Sequence, residues 1–218
     1  MVNTNDAPGG NPWLSIPASD YEAHMDSPAV GQLAALNRLF RDVYREQLPA
    51  RLAVLGCTTG NGFVHIDPAA TARVVGVDIN PDYIEIARRR YAAVLPGLEL
   101  YCADLAECDF PAAAFDMVYA ALVFEYVDVS ALLKKTSGWL GRGGLLAAVL
   151  QLEHDAKAPV TATEYASLRL LEPLMRLVPP VEFLAAATQA GLSLVREWEV
   201  PLASGKRFWA GILAKSPA

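Results

Sequence analysis

Leu52-Ala53-Val54-Leu55-Gly56-Cys57-Thr58-Thr59-Gly60-Asn61-Gly62 decides the fold of this 218-residue chain. The four leading apolar residues are too short a run, and too flat in pattern, for a surface helix; they read as a buried parallel strand. The glycine-rich turn leads into Phe63-Val64-His65-Ile66, which can open a helix. Strand, glycine turn and helix in that order bring a nucleotide-like ligand against bare backbone and a helix N-terminus. Sixteen residues beyond Gly62, a second apolar run, Val74-Val75-Gly76-Val77, ends on Asp78. An acidic residue at the tip of the second strand, about 20 residues after the glycines, accepts hydrogen bonds from ribose hydroxyls.

The glycine spacing separates cofactor types. Glycines at 56, 60 and 62 do not fit Gly-x-Gly-x-x-Gly, the dinucleotide pattern, and no Gly-Lys-Ser/Thr comes after them to make a P-loop. Small residues alternating after a first strand resemble instead the glycine loop of class I S-adenosylmethionine-dependent methyltransferases. The resemblance runs from about Leu52 to Leu150. Val77-Asp78-Ile79-Asn80 resembles the family's second-strand segment and Leu100-Tyr101-Cys102-Ala103-Asp104-Leu105 its third. Phe115 to Val127 resembles the fourth strand and its turn, and Leu140-Gly141-Arg142-Gly143-Gly144-Leu145-Leu146 the glycine turn into strand five. Four such segments in the family's order, at compatible spacings, carry far more weight than any one.

The resemblance implies S-adenosylmethionine as cofactor, held by Gly56, Thr58, Gly60, Asn61 and Gly62, by Asp78 and Ile79 at the ribose, by Asp104 and Leu105 at the adenine, and by Ala120 and Ala121. Two positions depart from the family pattern. Val54 stands where many relatives carry an acidic residue that organises the methionine end, and Thr58 stands where a middle glycine is usual. A protein that binds the cofactor or its product without turnover is therefore one alternative. A nicotinamide oxidoreductase on a related sheet is another, disfavoured by the glycine spacing.

Composition limits the field. A 53% hydrophobic content excludes a largely disordered chain, and 218 residues suit one domain with a sizeable core. Eighteen basic against 24 acidic residues, net charge −6, argue against a nucleic-acid partner. Arg88-Arg89-Arg90 and Lys134-Lys135 read as solvated helix faces. Cys57, Cys102 and Cys108 have no metal spacing and read as reduced thiols of a cytoplasmic protein. The first ten residues are polar and lack a signal-peptide core, and no apolar run approaches the roughly 20 residues of a membrane span.

Residues 1–18 read as a flexible arm, within an N-terminal arm of 1–28. Residues 29–48 have a helical stripe of Leu33, Leu36, Leu39, Phe40 and Val43, stopped by Pro49. Elements then alternate: strand 51–56, helix 61–69, strand 73–78, helix 81–94, strands 98–103 and 115–120, helix 128–140 and strand 144–151. Residues 152–190 form a substrate-side insertion with helices at 161–176 and 180–190, and strands 192–200 and 207–213 close the chain. The expected architecture is α/β and Rossmann-like: seven strands, mostly parallel with the last antiparallel, helices on both faces, one domain.

Methyl transfer from a sulfonium needs methyl and acceptor in line, and much of the acceleration comes from positioning and desolvation. Ligands lie beyond the carboxyl ends of parallel strands. Glu125 and Tyr126, after strand four, and Tyr21 and His24, before the first helix, are thus the candidate catalytic residues, with Glu125 read otherwise as a turn cap or ion-pair partner and His24 as a surface histidine. Tyr126 suits stacking or packing, Glu22 accompanies Tyr21, His154 ends strand five within reach of the pocket, and Arg169 with Arg176 can clamp an anion or lie solvated. His65 reads as structural. No His/Asp cluster has metal-ligand spacing, so no metal is expected. The fourth-strand turn also lacks the Asn/Asp-Pro-Pro-Tyr/Phe stretch that marks methylation of planar nitrogens. A small-molecule acceptor is the expectation; the sequence leaves its identity and the oligomeric state open.

Overall fold

The computed structural model describes residues 10–153 and 159–216. Seven strands form one sheet in the order β3-β2-β1-β4-β5-β7-β6. They are β1 Arg51–Leu55, β2 Arg73–Asp78, β3 Leu98–Cys102, β4 Phe115–Ala121, β5 Leu140–Gln151, β6 Leu192–Pro201 and β7 Arg207–Lys215. The first five pair in parallel, and β7 runs antiparallel to both β5 and β6. This is the expected seven-stranded Rossmann-like sheet. The apolar runs are continuous because both faces are covered. Leu52, Val54, Val74 and Tyr119 face one core with helix α2, Gln32–Gln47, and Ile84 of α3, Pro81–Tyr91. Ala53, Leu55, Val75 and Val118 face the other with α4, Val129–Trp139, and α5, Pro180–Gln189.

Local chemistry sets the helix starts. Asn80 accepts from the Asp82 and Tyr83 N–H groups with Pro81 in the first turn, and Asp128 accepts from Ala131 N. Five expectations are corrected. The flexible arm expected over 1–18 is packed where it is described, with a 3-10 turn at Pro12–Ser15 and Ile16 buried, and the rest of the 1–28 arm carries a helix, α1, Ala18–Asp26, with Asp20 in its first turn and Pro28 beyond its end. The expected helix 61–69 shrinks to one 3-10 turn, Phe63–His65, because Pro68 disfavours helical backbone at Asp67. Over 161–176 only Ala166–Leu171 winds, as a 3-10 helix, and Pro173 stops any extension of it. Strand β5 begins at Leu140, so the glycine turn is an irregularity inside it: Phe115 pairs Leu140 while Met117 pairs Leu145. Helix α5 belongs to the face opposite α2, so among the described insertion residues those that line the cavity fall within 159–175.

Candidate functional site

The turn after β1 is shaped by contact. Gly56 has φ 61°, and a Cβ there would lie 2.7 Å from Val123 Cγ2, so only glycine fits. Thr58 also has positive φ, 47°, a conformation that costs an L-residue about 1–2 kcal/mol. It is held by its N–H, which donates to Asp78 Oδ2 at 2.8 Å, and by Cys57 N–H to Val77 O at 3.0 Å. Asp78 Oδ1 accepts from Asn80 N at 2.9 Å. Burial raises the Asp78 carboxyl from 3.8 to about 6, against the pull of these backbone donors.

A cavity of about 180 Å³ opens beyond the carboxyl ends of β1 to β4. Its sheet side carries Gly56, Thr58, Asp78, Ile79, Asp104 and Leu105, with Ala121 and Val123 beside them. Asp104 Oδ1 accepts from Ala106 N at 2.8 Å, which fixes the carboxylate at the rim. The roof is built by the N-terminal segment and residues 159–175. Trp13 packs edge-on to Tyr126 at 5.1 Å and Tyr21 lies 5.5 Å from Tyr83. Ile16, Val160, Leu168 and Leu171 form a small core of their own above the cavity. Asn80 Nδ2 donates to Trp13 O at 2.8 Å, and Ser167 Oγ donates to Asp20 Oδ2 at 2.6 Å. Glu22 ties α1 to the glycine turn by accepting from Thr59 Oγ1 and Arg90, and the Arg90 bond holds its carboxyl below the ordinary value.

At the roof end, His24 is 5% exposed, with Nδ1 2.9 Å from Thr163 Oγ1. Burial, then the neighbouring Lys206, lowers its pKa, so its imidazole is neutral at pH 7. Gln32 Nε2 donates to Gln151 Oε1 at 2.9 Å, while Gln151 Nε2 and Lys206 Nζ both donate to Pro159 O. Gln32, Gln151 and Lys206 were not singled out from the sequence. Each is a polar residue at the end or edge of an apolar element, a signal too common to select them.

Of the expected site residues, Tyr21, His24, Tyr126, Gly56, Thr58, Asp78, Ile79, Asp104, Leu105 and Ala121 line this cavity together. Gly60, Asn61, Gly62, Ala120 and Glu125 do not. Gly60 and Gly62 face packing: a Cβ would reach Tyr91 at 2.5 Å and Phe40 at 2.6 Å. Asn61 bonds to Asn37 and Leu33 and lines a separate small space under the turn. Ala120 alternates onto the opposite face from Ala121 and is fully buried with the α4 core. Glu125 does not face the cleft with Tyr126. In the 3-10 turn Phe124–Tyr126 consecutive side chains splay about 120° apart, so Tyr126 reaches the cavity and Glu125 turns inward to accept from Gln151 N at 2.7 Å. Arg169 and Arg176 are exposed and do not share a helix. His65 bonds to Asn37, and His154 lies outside the described residues. Among the described residues no group of three His, Cys, Asp or Glu is placed to hold a metal, and no helix is long and apolar enough to cross a membrane.

Known proteins share this fold. A family model described as a methyltransferase domain matches residues 53–148. A comparison with curated proteins finds no match. An S-adenosylmethionine-dependent methyltransferase from Mesorhizobium loti is similar at 19% identity over 79% of this chain and 96% of its own, TM-score 0.62. Geranyl diphosphate C-methyltransferase from Streptomyces coelicolor A3(2), solved with S-adenosyl-L-homocysteine, is 14% identical over 86% and 83%, TM-score 0.65. The [4+2]-cyclase SpnF is 14% identical over 93% and 98%, TM-score 0.67.

Proposed function

We propose that this chain is a class I S-adenosylmethionine-dependent methyltransferase, a reading its matched domain and its sheet support, and that it transfers the methyl group to a small-molecule acceptor held under the α1 roof. One observation carries the reading: a single cavity joins Gly56, Thr58, Asp78 and Asp104 on the sheet side to Tyr21, His24 and Tyr126 on the roof side. The sheet-side residues fit S-adenosylmethionine. Gly56 leaves the backbone bare at the turn, and Asp78 keeps acceptor sites for ribose hydroxyls after its two backbone bonds. Asp104 stands at the rim for the adenine amino group, flanked by Ile79 and Leu105. When bound, the cofactor supplies an electrophilic methyl group on sulfur.

The chain's own residues then position and desolvate. Trp13, Tyr21, Tyr126 and Leu168 enclose the acceptor side in apolar surface, which excludes water. His24, neutral and in the cavity wall, takes the acceptor's proton where one must leave. Three free thiols suit a cytoplasmic enzyme, and net charge −6 suits a small molecule better than a nucleic acid.

A protein named a [4+2]-cyclase shares the fold, so the fold alone does not imply methyl transfer, and the departures at Val54 and Thr58 make a cofactor-binding protein without turnover the second reading. Calorimetry with S-adenosylmethionine, S-adenosylhomocysteine and NAD comes first; binding of NAD and neither sulfur nucleoside would sink the assignment. A screen of hydroxyl, amine, thiol and carboxylate compounds, read by S-adenosylhomocysteine release, comes second. Tight cofactor binding with no turnover across that screen would favour the second reading.

A further inference from the structure

Beneath the glycine turn, beside the main cavity, lies a second space of about 40 Å³. It shares Tyr21, Leu36, Gly56, Thr58 and Ala121 with the main cavity, so the two adjoin under one turn. Val54 and Tyr119 also line it, and they are register partners on β1 and β4. Val54 offers nothing polar. Tyr119 is 4% exposed, and its hydroxyl is buried with no hydrogen-bond partner. Its ring packs edge-on against Phe40 at 5.0 Å, which fixes where the phenol can be.

An unmatched buried hydroxyl is destabilising, and phenylalanine would fill the same volume without that cost. A tyrosine at this position therefore holds a polar group ready for a partner that arrives. The location says which end of a nucleoside ligand meets it. Asp78 and Asp104 lie at the ends of β2 and just past β3, whereas Tyr119 lies across β1 on β4. A ligand with its ribose on Asp78 therefore points its other end toward Tyr119. The space is too small for a purine but admits a charged group of a few atoms. Asn61, also in its wall, is already bonded to Leu33 O and Asn37.

We propose that the Tyr119 hydroxyl is a binding contact for the amino-acid end of S-adenosylmethionine, supplying from β4 the polar group that Val54 does not supply from β1. This rests on the cofactor reading above. Burial pushes the phenol well above its ordinary range, so it stays neutral, accepting from the ligand's ammonium or donating to its carboxylate.

Two ligands separate this contact from the rest of the site: S-adenosylhomocysteine, which has the amino-acid part, and 5′-methylthioadenosine, which lacks it. Calorimetry is run with both on the wild type and Tyr119→Phe. The variant loses roughly tenfold or more in S-adenosylhomocysteine affinity, keeps its 5′-methylthioadenosine affinity within about twofold, and melts at or above the wild-type temperature. Undiminished 5′-methylthioadenosine binding also certifies the variant's fold. Equal S-adenosylhomocysteine affinity in the two proteins, or equal losses for both ligands, overturns the proposal while leaving the cofactor reading standing. A wild type that binds neither ligand overturns both.

Discussion

Asp78 Oδ2 accepts the backbone N–H of Thr58 at 2.8 Å, so the tip of the second strand fastens the turn after the first. The same carboxylate lines the cavity wall. Asp78→Ala thus removes two things: the latch on a left-handed threonine and the acceptor offered to the ribose. S-adenosylhomocysteine affinity falls by about 1.5–3 kcal/mol, the range for a hydrogen bond to a charged group, and the melting temperature falls with it. Wild-type affinity in this variant would place the ribose elsewhere.

Gly60 acts on the turn rather than on the ligand. Its φ is 89°, and a Cβ would lie 2.5 Å from the Tyr91 ring. Gly60→Ala costs about 1–2 kcal/mol for the backbone and about 1–3 kcal/mol for the overlap. Adding Tyr91→Leu recovers the steric share and leaves the backbone share. Denaturant melts of the single and double variants measure both; a single variant as stable as wild type would rule out the left-handed turn.

Glu125 sets a pH dependence of stability. Burial raises its carboxyl from 4.5 to about 7. The folded chain holds this proton more tightly than the unfolded chain, so the associated stability is present below pH 4.5 and is lost as pH rises through about 7. Asp78, raised from 3.8 to about 6, acts in the same sense over a lower window. Glu125→Gln keeps an acceptor for Gln151 N and has no charge to bury. Its stability relative to wild type rises between pH 5 and pH 8 by on the order of 3 kcal/mol. Urea melts at the two pH values check it; a constant difference would show that Glu125 is ionised in the fold throughout.

The sheet was legible because its signals are local and of one kind. Val74 to Val77 ending on Asp78, or Leu52 to Leu55 ending on Gly56, reads as a strand from a few neighbours, and both faces demand apolar residues. The roof was not legible in the same way. Helix α1 is short and weakly amphipathic, and it is held by distant partners: Thr59 and Arg90 for Glu22, Ser167 for Asp20. Glu125 and Tyr126 looked equivalent in sequence, and only the 3-10 turn sends one to the cavity and the other to Gln151. Tyr119 reads as a core aromatic, since nothing in a strand's pattern shows that a hydroxyl lacks a partner.

The acceptor side is tested by separating turnover from binding. His24 lines the cavity, is bonded to Thr163 Oγ1 at 2.9 Å and has its pKa lowered by burial. Neutral imidazole therefore persists below pH 6.5, its ordinary value, and kcat/KM on a confirmed acceptor stays flat from pH 8 down to that point before falling. His24→Asn removes that acid limb and lowers kcat by about 10²–10⁴-fold, with S-adenosylhomocysteine affinity within about twofold of wild type. Tyr126→Phe also lowers turnover more than cofactor affinity, because an interaction made in the transition state leaves ground-state binding alone. Tyr21→Phe affects both, since Tyr21 lines the main cavity and the space under the turn. Activity on that acceptor is expected to survive chelators, because no His/Asp cluster in the sequence has metal-ligand spacing. If His24→Asn keeps the wild-type rate and the same acid limb, the proton leaves by another route, and the roof serves only to enclose the acceptor.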